Sequence, residues 1–129
     1  MSVNLILACL AGGLVSVVTR MIWFHPSVFG NHLNKKGGRN NTTVLVASFL
    51  ICAFLCYSMK WVNHPDDLNF VLHGMYHGVM NVGVFAVGAV LIHSLAEHKS
   101  TQYTLVHAGY WLVTFALMAA TLTAFPPFK

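Results

Sequence analysis

Three polar residues follow one line through an apolar stretch of the chain. The stretch at residues 72–93 reads LHGMYHGVMNVGVFAVGAVLIH, and His73, His77 and Asn81 recur in it at intervals of four. Residues four apart lie above one another on an α-helix. The stretch is long enough to cross a bilayer, which needs about 20 mostly apolar residues. Such a line must face protein or water, because unsatisfied polar groups in hydrocarbon are costly.

Histidine in this position favours proton transfer, because the side chain gains and loses a proton near neutral pH. Further polar residues on the predicted helices extend the line into a candidate thread through a helix bundle: His93, His107, Tyr110, Thr114 and Arg20. The chain has only three acidic residues, and all of them fall in predicted loops. The thread therefore lacks the buried carboxylate that proton pathways usually contain.

The histidines also raise the question of a bound cofactor. His77 and His107 are candidate axial ligands of a haem, but the predicted helices place them at different depths. His73 and His77 have the spacing of a metal-binding pair, without the glutamate of the H-E-x-x-H motif. We therefore expect no catalytic residue, no cofactor, and neither a haem nor a metal ion.

Composition defines the class of protein in which these residues lie. Of the 129 residues, 57% are hydrophobic and only 8% are charged, whereas soluble domains have about 25% charged residues. This balance predicts one integral membrane domain. Apolar stretches predict helices at about residues 3–23, 43–61, 70–93 and 104–125. The expected fold is all-α, a bundle of four transmembrane helices joined by short loops.

Small residues recur on each predicted helix. Gly12 and Ser16 continue a row that begins at Ala8, and Gly74 and Gly78 form a G-x-x-x-G pattern. Small residues four apart let the backbones of two membrane helices approach closely. Two further rows have the same spacing: Ala116, Ala120 and Ala124, and Ser48, Cys52 and Cys56. The cysteines, including Cys9, lack disulfide or zinc-site spacing and are interpreted as small buried packing residues.

Basic residues predict the orientation of the chain. Lys35, Lys36 and Arg39 fall in the loop after the first helix, and Lys99 falls in the loop after the third. The positive-inside rule places these loops in the cytoplasm or the mitochondrial matrix. Four spans then put both termini together on the non-cytoplasmic side of a bacterial or mitochondrial inner membrane. The basic cluster is too short to predict nucleic-acid binding, and lipid headgroups are its expected contacts.

Two segments resemble a known family. Residues 23–30, reading WFHPSVFG, resemble the WYSPxxFG element that follows the first helix of DUF1761 proteins. Residues 91–113, from LIH to HAGYWLV, resemble the lFE…NAGYxLV end of that family. The chain departs from the pattern at Phe24 and His25, where Tyr and Ser are usual, and at His107, where Asn is common. The resemblance implies a small four-helix membrane protein of uncharacterised function and supplies no catalytic residues.

Two functional hypotheses follow from these observations. The first is a non-catalytic accessory or structural subunit of a larger membrane complex, with an energy-converting membrane as one setting. Its partners are membrane lipids and either other transmembrane subunits or further copies of this chain. The alternative is a small oligomeric channel or carrier for protons or small solutes, lined by the histidines. In the first hypothesis the polar residues only join helices through hydrogen bonds, a common role in membrane bundles.

Overall fold

Four helices form the protein in the computed structural model, which describes residues 3–30, 41–59 and 70–125. They are α1 (Val3–Trp23), α2 (Asn41–Met59), α3 (Phe70–Ala96) and α4 (Thr101–Leu122), and no strand occurs within the described residues. The predicted all-α, four-helix fold is confirmed. Much of the loop between α1 and α2, with the basic cluster, and the loop between α2 and α3 lie outside the described residues.

The turn between α3 and α4 explains why α3 ends later and α4 begins earlier than predicted. α3 ends in a left-handed cap, in which His98 has φ 51° and the backbone N–H of Lys99 donates to the Ser94 carbonyl over 2.8 Å. This cap carries α3 three residues past the predicted end at His93. Ser100 then caps α4, because its hydroxyl accepts a hydrogen bond from the backbone N–H of Tyr103 over 3.2 Å.

α3 is not a uniform α-helix. Its two α-helical parts, Phe70–Gly78 and Val84–Ala96, are joined by a π-helical turn at Val79–Gly83. The backbone N–H of Val84 closes this turn on the Val79 carbonyl, five residues back. Single π turns inside α-helices are frequent at functional sites. This one contains Asn81, the last member of the polar line.

The surface of the bundle is apolar. Three helices are long and apolar enough to cross a membrane (Val3–Trp23, Phe70–Ala96 and Thr101–Leu122), and the described apolar part of α2, Leu45–Ser58, is shorter. Large side chains such as Phe85 and Leu95, each 76% exposed, project outward. Soluble proteins rarely expose continuous apolar surface on this scale. The helices therefore belong to a membrane protein, while the side of the membrane that holds the termini stays a prediction.

The helices pack unevenly. α1 lies against both α2 and α4, α3 lies against α4, and α2 makes few contacts with α3 or α4. The core lies where α1, α2 and α4 meet, and its largest fully buried side chains are Leu55, Phe115, Met118 and Leu122. This arrangement leaves the space between α2 and the second half of α3 open. The fold thus positions two regions of interest, the α1–α2–α4 core and the open side beside α3.

Candidate functional site

The interface between α1 and α2 is made from the predicted rows of small residues. The hydroxyls of Ser16 and Ser48 are 2.6 Å apart, and both side chains are buried. Gly12 lies against Cys52, and a Cβ at position 12 would collide with the Cys52 sulfur. These contacts require small side chains on both helices, because the two backbones are close together.

All three cysteines of the chain meet in this interface. Their Sγ atoms lie within 4.8 Å of one another, and those of Cys9 and Cys56 are 3.4 Å apart. None is in a disulfide bond, and each side chain is at most 1% exposed. The Cys52 sulfur is also 3.9 Å from the Ala8 carbonyl oxygen. Three thiols in one buried cluster are a possible ligand set for a soft ion.

Sequence reasoning missed this cluster, because it treated the cysteines as separate packing residues. Cys52 and Cys56 are one helical turn apart, but Cys9 is on another helix. The signal that could have found the cluster was the match between two rows of small residues. Pairing Ser16 with Ser48 sets the register of the antiparallel helices, and Cys9 then falls beside Cys56.

A second group of polar side chains lies between α1 and α4, toward the end of α1. Tyr110 and Thr114 on α4 are buried, and Tyr110 lies beside Ser16 and Thr114. Arg20 is near enough for its charge to act on the Tyr110 hydroxyl. The Thr114 hydroxyl is buried and makes no regular hydrogen bond within the described part of the chain. The fold thus brings together three predicted site residues, Arg20, Tyr110 and Thr114.

The histidine pair lies elsewhere, on the first part of α3. The Nε2 atoms of His73 and His77 are 3.0 Å apart, and their ring centroids are 4.6 Å apart. Both residues are half-buried. At this distance one ring nitrogen donates a hydrogen bond to the other. The predicted neighbours on a helix face are therefore in direct contact.

Of the two glycines beside this pair, Gly78 lies close to α4. Gly74 and Gly78 are both buried. A Cβ on Gly78 would lie 2.5 Å from the Phe115 carbonyl oxygen and 2.6 Å from the Ala119 Cβ. Ala119 is the fully buried alanine of α4. The alanines of the predicted row are less buried: Ala116 and Ala120 are half-buried and Ala124 is exposed.

The remaining predicted polar residues do not join this pair in one continuous line. Asn81 is half-buried in the π turn, and His93 is exposed near the end of α3. His107 stacks on Tyr103, with ring centroids 3.9 Å apart, and its Nδ1 is 2.9 Å from the Tyr103 carbonyl oxygen. His77 neighbours Gly78, which packs at Phe115, two turns or roughly 12 Å along α4 from His107.

The two segments that carry the family resemblance lie against each other. The Trp23 indole donates a hydrogen bond to the Val106 carbonyl over 3.1 Å and packs on Gly109, where a Cβ would be 3.2 Å from the ring. Phe24 lies against the rings of both His107 and Tyr110, at centroid distances of 5.4 and 5.0 Å. The turn after α1 is thus fastened to the first half of α4, which gives both segments a structural role.

The open side of the bundle forms a lateral cleft. It has a volume of about 520 Å³, and its wall is almost entirely apolar. α2 contributes one side, α3 the other and α4 the floor. The lining residues are Ile51, Val82, Phe85, Ala86, Ala89, Val90, His93, Trp111 and Phe115. The cleft is large enough to accept an apolar chain or part of a neighbouring helix.

Fold and surface together define a small polytopic helical membrane protein. Residues 7–123, most of the chain, match the family model described as "Protein of unknown function (DUF1761)". The chain therefore belongs to the DUF1761 family, as the resemblance predicted. Comparison with curated proteins and with solved structures finds no significant match.

Proposed function

We propose that this protein is a non-catalytic subunit of a larger membrane assembly, and that a transmembrane helix of a partner occupies the lateral cleft. The observation that carries the proposal is the cleft itself, about 520 Å³ with an apolar wall and open to the side. A solute pathway needs polar groups or water along its wall. An apolar wall favours helix packing instead.

Two features of the α3 side of the cleft support a helix as its occupant. Ala86 and Ala89 line the cleft with small side chains, which allow a second backbone to approach. His93 lies at one end of the same wall and can form a hydrogen bond with a polar residue on the partner helix. The few contacts of α2 with α3 leave this side available to a neighbour.

The test begins with the mass of the intact particle after gentle extraction from the native membrane. A heteromeric particle much heavier than the 14.2 kDa chain is expected. Ala89→Trp fills the cleft from an exposed position and should release the partner, because the added ring occupies the space of the partner helix. Ile92→Trp is the matched control, since Ile92 is 72% exposed on the same helix and does not line the cleft.

Three outcomes oppose the proposal. A particle containing only this chain contradicts the subunit role. A heteromeric particle that survives Ala89→Trp contradicts the cleft as the site of the partner helix. If lipid alone is recovered with the unmodified chain and is lost in Ala89→Trp, the occupant of the cleft is an acyl chain. This result also contradicts the proposal.

The second candidate, a channel or carrier, is favoured by the His73–His77 pair. The hydrogen bond between their rings, 3.0 Å from nitrogen to nitrogen, is the kind of contact through which a proton can be relayed. Proton flux into liposomes that contain the purified chain tests this role. His77→Gln should abolish the flux if the pair conducts, whereas His107→Gln, on another helix, should leave it intact. Absence of flux from the unmodified chain eliminates this candidate.

A further inference from the structure

The cysteine cluster has the geometry of a three-sulfur binding site. Bonds of about 2.3 Å from a soft centre to each of three sulfurs, close to the zinc–sulfur distance, hold those sulfurs roughly 4 Å apart. The three Sγ atoms of Cys9, Cys52 and Cys56 lie within 4.8 Å of one another, and those of Cys9 and Cys56 are 3.4 Å apart. Small rotations of the side chains would therefore bring all three sulfurs onto one centre.

The surroundings of the cluster decide which charge the bound centre can have. Among the described residues, the core around the sulfurs is apolar and includes Leu5, Leu55, Met118 and Leu122. A net charge in such surroundings is strongly disfavoured, because it loses its hydration without gaining a counter-charge. Three thiolates leave two negative charges with Cu(I) and one with Zn(II), and zinc also requires a fourth ligand. A trivalent centre with three thiolates is neutral and has three bonds.

We propose that Cys9, Cys52 and Cys56 form a binding site for a trivalent thiophilic metalloid of the arsenite class. Arsenous acid reaches the site as an uncharged molecule. Each thiol replaces one hydroxyl on arsenic, so three As–O bonds break, three As–S bonds form and three water molecules leave. Arsenic stays in the +3 state and no electrons are transferred. The product, As(SR)₃, is neutral.

The position of the cluster gives the small molecule a short route to it. Cys56 is one turn from the end of α2 at Met59, and Cys9 is six residues, or about 9 Å, from the start of α1 at Val3. The sulfurs are therefore covered by the surrounding core side chains, but they lie near the start of α1 and the end of α2.

Intact-protein mass spectrometry of the reduced 129-residue chain, incubated with sodium arsenite without oxygen, tests the site. The expected adduct is one per chain and weighs one arsenic atom less three hydrogens. An adduct heavier by one water holds arsenic through only two sulfurs and overturns the three-sulfur site. Absence of an adduct overturns it as well.

Variants connect the adduct to the three residues. Cys9→Ser, Cys52→Ser and Cys56→Ser should each lose the three-sulfur adduct completely. Ser48→Ala is the matched control, because Ser48 is buried one turn before Cys52 on the same helix, and it should keep the full adduct. A cysteine variant that still gives the three-sulfur mass contradicts the assignment.

Two further measurements keep the test independent of how the variants fold. X-ray absorption at the arsenic edge of the unmodified protein should give three sulfur neighbours and no oxygen neighbour. Separate incubation with Zn(II) alone or with Cu(I) alone tests the charge argument. Retention of either ion by the cysteines under conditions in which arsenite is not retained would overturn the trivalent, neutral site.

Discussion

At the scale of single residues, the close approach of the helix backbones restricts several positions to glycine or another small residue. A Cβ at Gly12 or Gly78 would collide with the neighbouring helix, whereas a Cβ at Gly88 would meet no atom within 4 Å. The rows of small residues predict close packing at Gly12 and Gly78 and do not include Gly88, but they do not show which residues the two glycines meet. Only the pairing of the helices makes Gly12 and Gly78 obligatory.

Gly78→Ala is therefore expected to destabilise the bundle by about 1–3 kcal/mol, the usual cost of an extra group in a tightly packed interface. The added methyl would meet the Phe115 carbonyl oxygen at 2.5 Å, so α3 must move away from α4. Thermal unfolding in detergent, followed by circular dichroism, measures the loss. Gly88→Ala is the control, and equal melting temperatures for both variants would contradict the close α3–α4 contact.

His98→Gly is expected to stabilise the turn between α3 and α4 by about 1 kcal/mol or slightly less. His98 has φ 51°, a conformation that glycine adopts without the steric cost that a side chain incurs. Glu97→Gly serves as the control, because Glu97 has φ −93° and there glycine only adds disorder to the unfolded chain. The unfolding midpoints of the two variants should move in opposite directions. A lower midpoint for His98→Gly would be inconsistent with the left-handed cap.

The sequence predicts contacts between residues that lie on the same helix, because their spacing along the chain defines which of them are neighbours. His73 and His77 are neighbours because they are four apart on one helix, and their contact of 3.0 Å needs no tertiary information. The cysteine cluster depends instead on the relative register of α1 and α2. Spacing along the chain carries no direct information about that register, so Cys9 could not be assigned to the other two cysteines.

At the scale of helices, the least expected feature is the π turn in α3. The helix has apolar side chains on nearly all of its faces. Hydrophobic periodicity therefore gives no sign of the one extra residue that a π turn contains. The turn follows Gly78, which packs on Phe115, and it ends at Gly83, whose Cβ would be 3.3 Å from the Leu112 side chain. We infer that the extra residue lets both glycines face α4.

Deleting Met80 should convert the π turn into continuous α-helix with little loss of stability. A π turn contains one residue more than an α turn, and Met80 is 48% exposed, so its removal costs little packing. Deleting Val87 from the regular part of α3 should be far more harmful, because all later residues rotate by about 100° and the buried Ser94 turns outward.

Yield of folded protein and thermal unfolding in detergent compare the two deletions. The chain without Met80 should keep the helical content and melting temperature of the unmodified protein more closely than the chain without Val87. If the deletion of Met80 lowers the yield and the melting temperature as much as that of Val87, the π turn does not contain a residue that the helix can lose.

At the scale of the whole molecule, composition predicts the class of protein, and the apolar stretches predict the number of helices. A chain with 57% hydrophobic and 8% charged residues has few stable alternatives to a helical membrane bundle. Composition cannot predict which helix pairs are close. The lateral cleft exists because α2 packs mainly on α1 and leaves α3 apart from it, an outcome set by side-chain fit across several helices.

Orientation in the membrane is a property of the whole chain and rests on a small difference in charge. Lys35, Lys36 and Arg39 predict that the first loop is cytoplasmic and that both termini are on the other side. In a bacterial host, alkaline phosphatase fused after residue 129 should therefore be active, because it folds only outside the cytoplasm. A green fluorescent protein at the same position should stay dark.

Replacing all three of these residues with glutamine should produce a mixed orientation, in which both reporters give a signal, because little charge difference then remains between the two sides. Lys60→Gln is the control: it removes a positive charge from the side predicted to be non-cytoplasmic and should leave the original orientation complete. A fluorescent, phosphatase-inactive fusion of the unmodified chain would place the termini in the cytoplasm. The basic loop would then be on the outer side, and a partner, rather than the chain's own charges, would have to set the orientation.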